Sequence, residues 1–139
     1  GQIKSAEPMR TTTNRELEAV LALPGPDRFR YFVKRVADEE LVWVVGDGGL
    51  RMMAGEDAAL ALPVWPSAEF VEACRGSEWA NEAPRFVSLD DFLDHLLVDL
   101  DSQGAAVAVC PGLDGKGVVC APSVVDAAIR EELKKYGEG

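Results

Sequence analysis

Residues Leu41–Val45 are apolar without exception, and Gly46-Asp47-Gly48-Gly49 follows at once. A run of β-branched, aromatic and aliphatic side chains, apolar on both faces, suits a central strand covered above and below. The Asp-Gly pair tolerates the positive φ angles of a tight turn, so the chain is expected to double back into a second strand, Leu50–Ala54. Gly55-Glu56-Asp57 turns it again into Ala58–Val64. The expectation is a three-stranded antiparallel meander that needs helices to bury it.

Helical periodicity surrounds this unit. Asn14 is the expected N-cap of a short helix with Leu17, Val20 and Leu21 on one face, stopped by Pro24-Gly25-Pro26. Pro26 suits the first turn of a second helix, where Phe29, Phe32, Val33 and Val36 make an i, i+3, i+4, i+7 stripe. Its other face carries Arg28, Arg30, Lys34 and Arg35. Ser67 is placed to cap a helix that turns Phe70, Val71 and Cys74 inward, and Gly76–Pro84 is expected to be a loop carrying Trp79. Ser88 and Asp91 form an approximate capping box ahead of a wide stripe, Leu89, Phe92, Leu93, Leu96, Leu97 and Leu100, ended by Gln103-Gly104. A hairpin follows, Ala105–Cys110 and Val118–Ala121, turning through Gly112–Gly117. Pro122-Ser123 opens a last helix that buries Val125, Ile129, Leu133 and Tyr136 and sets Glu131 four residues from Lys135. The simplest assembly is an α+β domain over 14–137: one antiparallel sheet of about five strands, meander plus hairpin, packed with about five helices. Residues 1–13 are expected to be a flexible N-terminal segment or an expression remnant.

A chain of 139 residues, 47% hydrophobic and 27% charged, can bury a core without metals or disulfides. The apolar stretch Ala58–Ser67 is cut by two prolines and falls far short of the ~20 residues that span a bilayer. The first twenty residues carry no apolar core of a secretory signal. Three cysteines without a C-x-x-C spacing read as reduced thiols, so a cytoplasmic location is expected. Cys110 and Cys120 flank the hairpin and read as two small buried hydrophobes, with a redox pair as the alternative. A net charge of −10 disfavours phosphate backbones and anionic membranes. It suits a basic protein partner, although charge of this size also serves solubility alone.

No residue set announces chemistry. His95 is the single histidine; Asp91, four residues earlier, can reach it, but nothing nominates a nucleophile. Asp90, Asp91, Asp94, Asp99 and Asp101 crowd one helix without the loop spacing of a calcium site, and the first two suit its positive N-terminal end. Gly112-Leu113-Asp114-Gly115-Lys116-Gly117 lacks the spacing of a phosphate loop and lies between strands. No metal, cofactor or catalytic residue is therefore assigned. Trp43 belongs in the core. Trp65, at a strand exit, and Trp79, in a loop, either pack or frame a groove.

Tyr31-Phe32-x-Lys34-x-Val36, Val42-x-x-x-x-Asp47-Gly48-Gly49, Leu62-Pro63-Val64-Trp65-Pro66, Glu78-Trp79, Pro84 and Ser88-Leu89-Asp90-Asp91-Phe92-Leu93 follow one another in the chain. In that order they resemble the bacterial domain-of-unknown-function family 2750, over about Leu17 to Tyr136. Pro-x-Trp-Pro is the most specific element. The resemblance implies a small stand-alone bacterial cytoplasmic domain and supplies no activity and no catalytic residues.

Two functions are weighed. The first is a non-catalytic interaction module, an adaptor or immunity-like protein that meets a basic partner through its acidic surface, with Trp65, Trp79, Asp90 and Asp91 as candidate contacts. The Arg28, Arg30, Lys34 and Arg35 face is the candidate for an acidic partner or an anion, for neutralising the acidic Leu89 helix in the same molecule or a dimer mate, or is simply a solvated helix face. The second is an enzyme or small-ligand binder with a groove near Trp65, Trp79 and the Asp90 helix. A homodimer joined through the basic and acidic helices is the remaining assembly.

Overall fold

The computed structural model describes residues 12–46, 52–54, 60–74, 82–112 and 118–137. Thr13, not Asn14, caps the first helix: its Oγ1 accepts the Glu16 N–H at 3.1 Å, and α1 (Asn14–Leu21) starts one residue later. The fold already includes Thr12, which is 4% exposed, ahead of the expected boundary. Pro26 sits in the first turn of α2 (Gly25–Glu39), which buries Phe32, Val33 and Val36 as its stripe requires.

The strands are β1 (Leu41–Val45), β2 (Met53–Ala54) and β3 (Leu60–Val64). Ser67 Oγ accepts the Phe70 N–H at 3.4 Å and opens α3 (Ala68–Cys74). β4 (Pro84–Ser88) comes next, and Ser88 Oγ accepts the Asp91 N–H at 3.2 Å to start a long helical rod. The rod is α4 (Leu89–Asp91), a π-helical segment Phe92–Leu96 and α5 (Leu97–Ser102), run together. In the wide turn the Leu97 N–H donates to Phe92 O, five residues back. Gly104, at φ 74, takes the chain out of the rod. β5 (Ala106–Val109), β6 (Val118–Cys120) and α6 (Pro122–Gly137) complete it.

Five helices are present among the described residues, counting the rod once, but the single antiparallel sheet is not. There are two sheets, β1-β4 and β2-β3-β5-β6. β3 and β5 pair in parallel, from Ala61↔Ala106 to Val64↔Val109. The connection through α3, β4 and the rod is long enough to return the chain to the same end, so nothing forces these strands to oppose. The β5–β6 hairpin is antiparallel, as expected.

The meander is also corrected. Trp43 and Trp65 exchange both backbone hydrogen bonds at 2.9 Å, so β1 meets the continuation of β3 directly. Val64 O accepts the Cys110 N–H on the β5 side; the groups of Trp65 therefore point to the opposite edge, where β2 also pairs. β1 and β2 are both antiparallel to that edge, so they lie end to end and run the same way. They are not the two arms of a hairpin. The expected turns at 47–49, 55–57 and 113–117, the loop with Trp79 and the side chain of Tyr136 lie outside the described residues.

The core gathers Val42, Val44, Val45, Leu62, Val64, Val107 and Val109 from the strands with Phe32, Phe70, Phe92, Val125 and Ile129 from the helices. Val44 and Val45 are fully buried, which explains a Leu41–Val45 run with no polar side. α2 packs against α6, β1 and β6, while α3 packs against β1 and β4.

Candidate functional site

The rod and α6 pack side by side, and each puts one stripe into the seam and another beside it. Leu97 and Leu100 from the rod are buried, as are Val125 and Ile129 from α6. Next to the seam, Asp94, Val98 and Asp101 sit at i, i+4, i+7 and face Pro122, Ser123, Asp126 and Arg130. Together with Leu93 and Leu97 these residues line a groove of about 320 Å³. Val98 is 57% exposed, an apolar residue left outside the buried stripe. The π-helical segment contributes Leu93 and Asp94 to this wall.

Arg130 spans the groove. Its Nε donates to Asp126 at 2.8 Å and its Nη2 to Asp94 at 3.2 Å. The bonds to Asp126, and then to Asp94, raise its pKa further above the usual arginine value. Asp101 brings a third carboxylate to the rim. Chemically the groove is an apolar floor between acidic rims, with one cation already placed across it.

The residues singled out from the sequence are not assembled there. Trp65 is fully buried and its Nε1 donates to Pro111 O at 3.0 Å, so it frames no groove. It is buried because it extends β3 into the bridge with Trp43, and the indole finds its acceptor in the loop after β5. Trp79 is outside the described residues. Asp90 and Asp91 are exposed at the start of the rod. Asp90 joins Glu40, Ser88, Leu89 and Leu133 around a second depression of about 270 Å³. His95 is exposed, and no ion pair joins it to Asp91 among the described residues.

The basic face of α2 comes apart. Arg30 pairs with Asp27 on the surface, and Lys34 is exposed. Arg28 turns inward: Nη1 donates to Cys110 O at 3.0 Å, and Nη2 to Leu21 O and Leu23 O at 3.4 Å each. It closes the C-terminal end of α1 onto the end of β5. Arg35 is 6% exposed and pairs with Glu39 at 2.8 Å and Glu16 at 3.5 Å. Its Nη1 also donates to Tyr31 Oη at 2.6 Å and Thr12 Oγ1 at 3.2 Å, and Thr12 bonds Ser67 Oγ at 2.9 Å. Tyr31 in turn donates to Glu16. Burial works against the Arg35 charge, but Glu39 and Tyr31 outweigh it and hold the group protonated. Two of the four expected surface cations are therefore interior clamps. Among the described residues, the cation that pairs with the acidic rod is Arg130 of α6. On α6 itself Lys135 pairs with Glu132 and Lys134 with Glu131, not Lys135 with Glu131.

Cys110 and Cys120 do not face each other. Cys120 lies opposite Val107 in the ladder, while Cys110 sits beyond the end of β5 at φ 53. Burial, and second the nearness of Cys74, push the Cys110 thiol from 9.0 up to about 12. Burial, then Glu16, push Tyr31 from 10.0 up to about 12. Both groups ionise more readily in the unfolded chain. Their contribution to stability is intact below about pH 9 and is lost as pH rises toward 12. Urea midpoints measured along a pH series are expected to hold level from neutrality to about pH 9 and then to drop steeply. A level profile through pH 11 is the result that contradicts this.

No group of three histidine, cysteine or acidic side chains is placed to hold a metal ion among the described residues. Among them no helix is long and apolar enough to cross a membrane. The model of a family of proteins of unknown function, DUF2750, matches residues 29–129. The chain belongs to that family. The DUF2750 match runs from Phe29 in α2 to Ile129 in α6, so it takes in both sheets, the whole rod and most of the groove wall on α6, and leaves α1 outside. Arg130 is one residue past the DUF2750 match, while Asp94 and Asp126, its partners, are within it. Neither the curated proteins nor the solved structures provide a match.

The residues missed from sequence are Val98, Ser123, Asp126 and Arg130. Two signals were present: Val98 falls off the leucine stripe, and Asp126 and Arg130 stand four apart on α6.

Proposed function

We propose that the chain is a non-catalytic protein-interaction module that takes a basic, amphipathic segment of another protein into the groove between α5 and α6. The observation that carries this reading is Arg130, held by Asp94 and Asp126 across an apolar floor. A cation so held marks where a partner's lysine or arginine is accommodated, and Leu93, Leu97 and Val98 offer the apolar contact an amphipathic helix needs. The net charge of −10 adds long-range attraction for a basic partner. The π-helical segment in the wall supports the reading, because such wide turns recur at functional sites. An adaptor and an immunity-type inhibitor both have this physical form. The setting we infer is a bacterial cytoplasm, where Cys74, Cys110 and Cys120 stay reduced.

The test is an NMR titration of the labelled chain with a lysine- and leucine-rich amphipathic helical peptide. Shifts are expected to concentrate at Asp94, Val98, Ser123 and Arg130, and binding is expected to weaken with salt. Asp101→Asn removes one rim charge without touching the Arg130 pairs, and is expected to weaken binding about fivefold. Shifts scattered over the whole acidic surface, with Asp101→Asn binding as well as the parent, would remove the groove as the site. Saturable binding of a small neutral molecule with no response to the peptide would favour a ligand-binding protein instead.

A further inference from the structure

β4 is the outer strand of the two-stranded sheet, and the way its backbone groups are used makes its free edge self-complementary. Trp43 gives both of its backbone groups to Trp65. Backbone groups alternate sides along a strand, so in β1 it is Val42 and Val44 that bond β4, through Val87 and Arg85. In β4, therefore, the groups of Pro84, Phe86 and Ser88 point away from the sheet. Pro84 has no N–H to offer. Ser88 is the N-cap of the rod, so its C=O lies at the entry to the first helical turn. Among the described residues the edge is open, and it presents an acceptor at Pro84, a donor and an acceptor at Phe86, and a donor at Ser88.

We infer that β4 pairs antiparallel with β4 of a second copy of this chain, about a two-fold axis at Phe86. Phe86 then exchanges both hydrogen bonds with the partner's Phe86. The Ser88 N–H donates to the partner's Pro84 carbonyl, and the reverse bond is made by symmetry. The position that lacks a donor falls across from the N-cap of the rod, so each outward N–H of the described edge finds an acceptor. The side chains agree. Phe86 is 56% exposed and packs edge-on to Trp43 at 5.4 Å, so pairing covers the outer side of an aromatic cluster and sets two phenyl rings across from each other. Arg85 faces the partner's Val87, which avoids like charges in direct opposition. Edge strands are commonly guarded by a charged side chain, but Arg85 Nη1 donates to Gly46 O at 3.3 Å, back across its own sheet. This surface is separate from the α5–α6 groove, and the inference does not rest on the function proposed there.

Sedimentation of the purified chain across a concentration series tests it. Twice the chain mass is expected at high concentration, falling to one chain mass on dilution. Phe86→Pro is the decisive variant. The N–H it removes is the outward one, so the β1–β4 ladder keeps its bonds and the fold is retained by circular dichroism, while the dimer is lost. Phe86→Cys gives a second readout that needs no change in affinity. Residues opposed in a hydrogen-bonded antiparallel pair have Cα atoms about 5.5 Å apart, within disulfide reach. Under mild oxidation Phe86→Cys is expected to yield a covalent dimer on a non-reducing gel, in excess of both the parent chain and Arg85→Cys. A single-chain mass at millimolar concentration with no crosslink overturns the inference and leaves the edge to a different chain. A dimer that survives Phe86→Pro also overturns it and puts the interface elsewhere.

Discussion

Arg35→Met is expected to lower folding stability by about 3–5 kcal/mol, read from urea denaturation at neutral pH. Arg35 is the centre of a buried polar cluster that joins Thr12, Glu16, Tyr31 and Glu39 from the N-terminal segment, α1 and α2, and reaches α3 through Thr12 and Ser67. Glu39 is 7% exposed, and among the described residues its Oε1 has no hydrogen-bond partner. Taking away the guanidinium leaves a carboxylate inside with nothing to offset its lost hydration, and methionine keeps most of the volume, so packing is not the main loss. The second half of the prediction separates pairing from packing. Glu39→Leu in the Arg35→Met background is expected to recover a large part of the loss, because no unpaired charge then remains at that position. Equal destabilisation by the single and double variants would show that the cluster acts through shape alone. The Arg35 Nη2 also lacks a partner, so the intact cluster is not fully satisfied. For that reason we expect an apolar replacement to come close to the parent rather than far below it.

Trp65→Ala is expected to cost about 3–5 kcal/mol, the range for emptying a large buried aromatic site. Trp65 is fully buried, in contact with β1 through the bridge to Trp43 and with the loop after β5 through Pro111. Trp65→Phe isolates the polar part. It keeps a ring in the site but removes the donor to Pro111 O, which is buried, and is expected to cost about 1–3 kcal/mol, with some further loss from the smaller ring. Denaturant midpoints of the two variants and the parent check both values. The functional corollary is equally concrete. Trp65→Phe should bind a basic peptide as the parent does, since the side chain reaches no surface. Loss of binding with unchanged stability would restore Trp65 as a recognition residue.

Much of the fold was legible from nearby residues. The α2 stripe of Phe32, Val33 and Val36, the rod stripe from Leu89 to Leu100, the caps at Ser67 and Ser88 and the stop at Gly104 are all local effects, set within one or two turns. β4 was missed because only Phe86 and Val87 of its five residues are apolar and Pro84 opens it. It is a strand because β1 has an edge for it to join, a fact held forty residues away. The two-sheet arrangement and the parallel β3–β5 pair were missed for the same reason. The site was less legible. Charge pattern locates the acidic rod, and the α2 face is one candidate for its counter-charge, but Arg28 and Arg35 are used inside the protein.

The sequence by itself determined where the helices lie, which of their faces go inward, that Leu41–Val45 is covered on both sides, and that the protein carries a strong negative field. Each of these depends on residues a few positions apart, whose spacing fixes geometry before any distant contact forms. Only the tertiary structure decided the order and direction of the strands, the burial of Trp65, Arg28 and Arg35, and the meeting of Asp94 with Arg130. Those outcomes depend on which distant surfaces compete best for one another, and a periodic pattern carries no address for its partner.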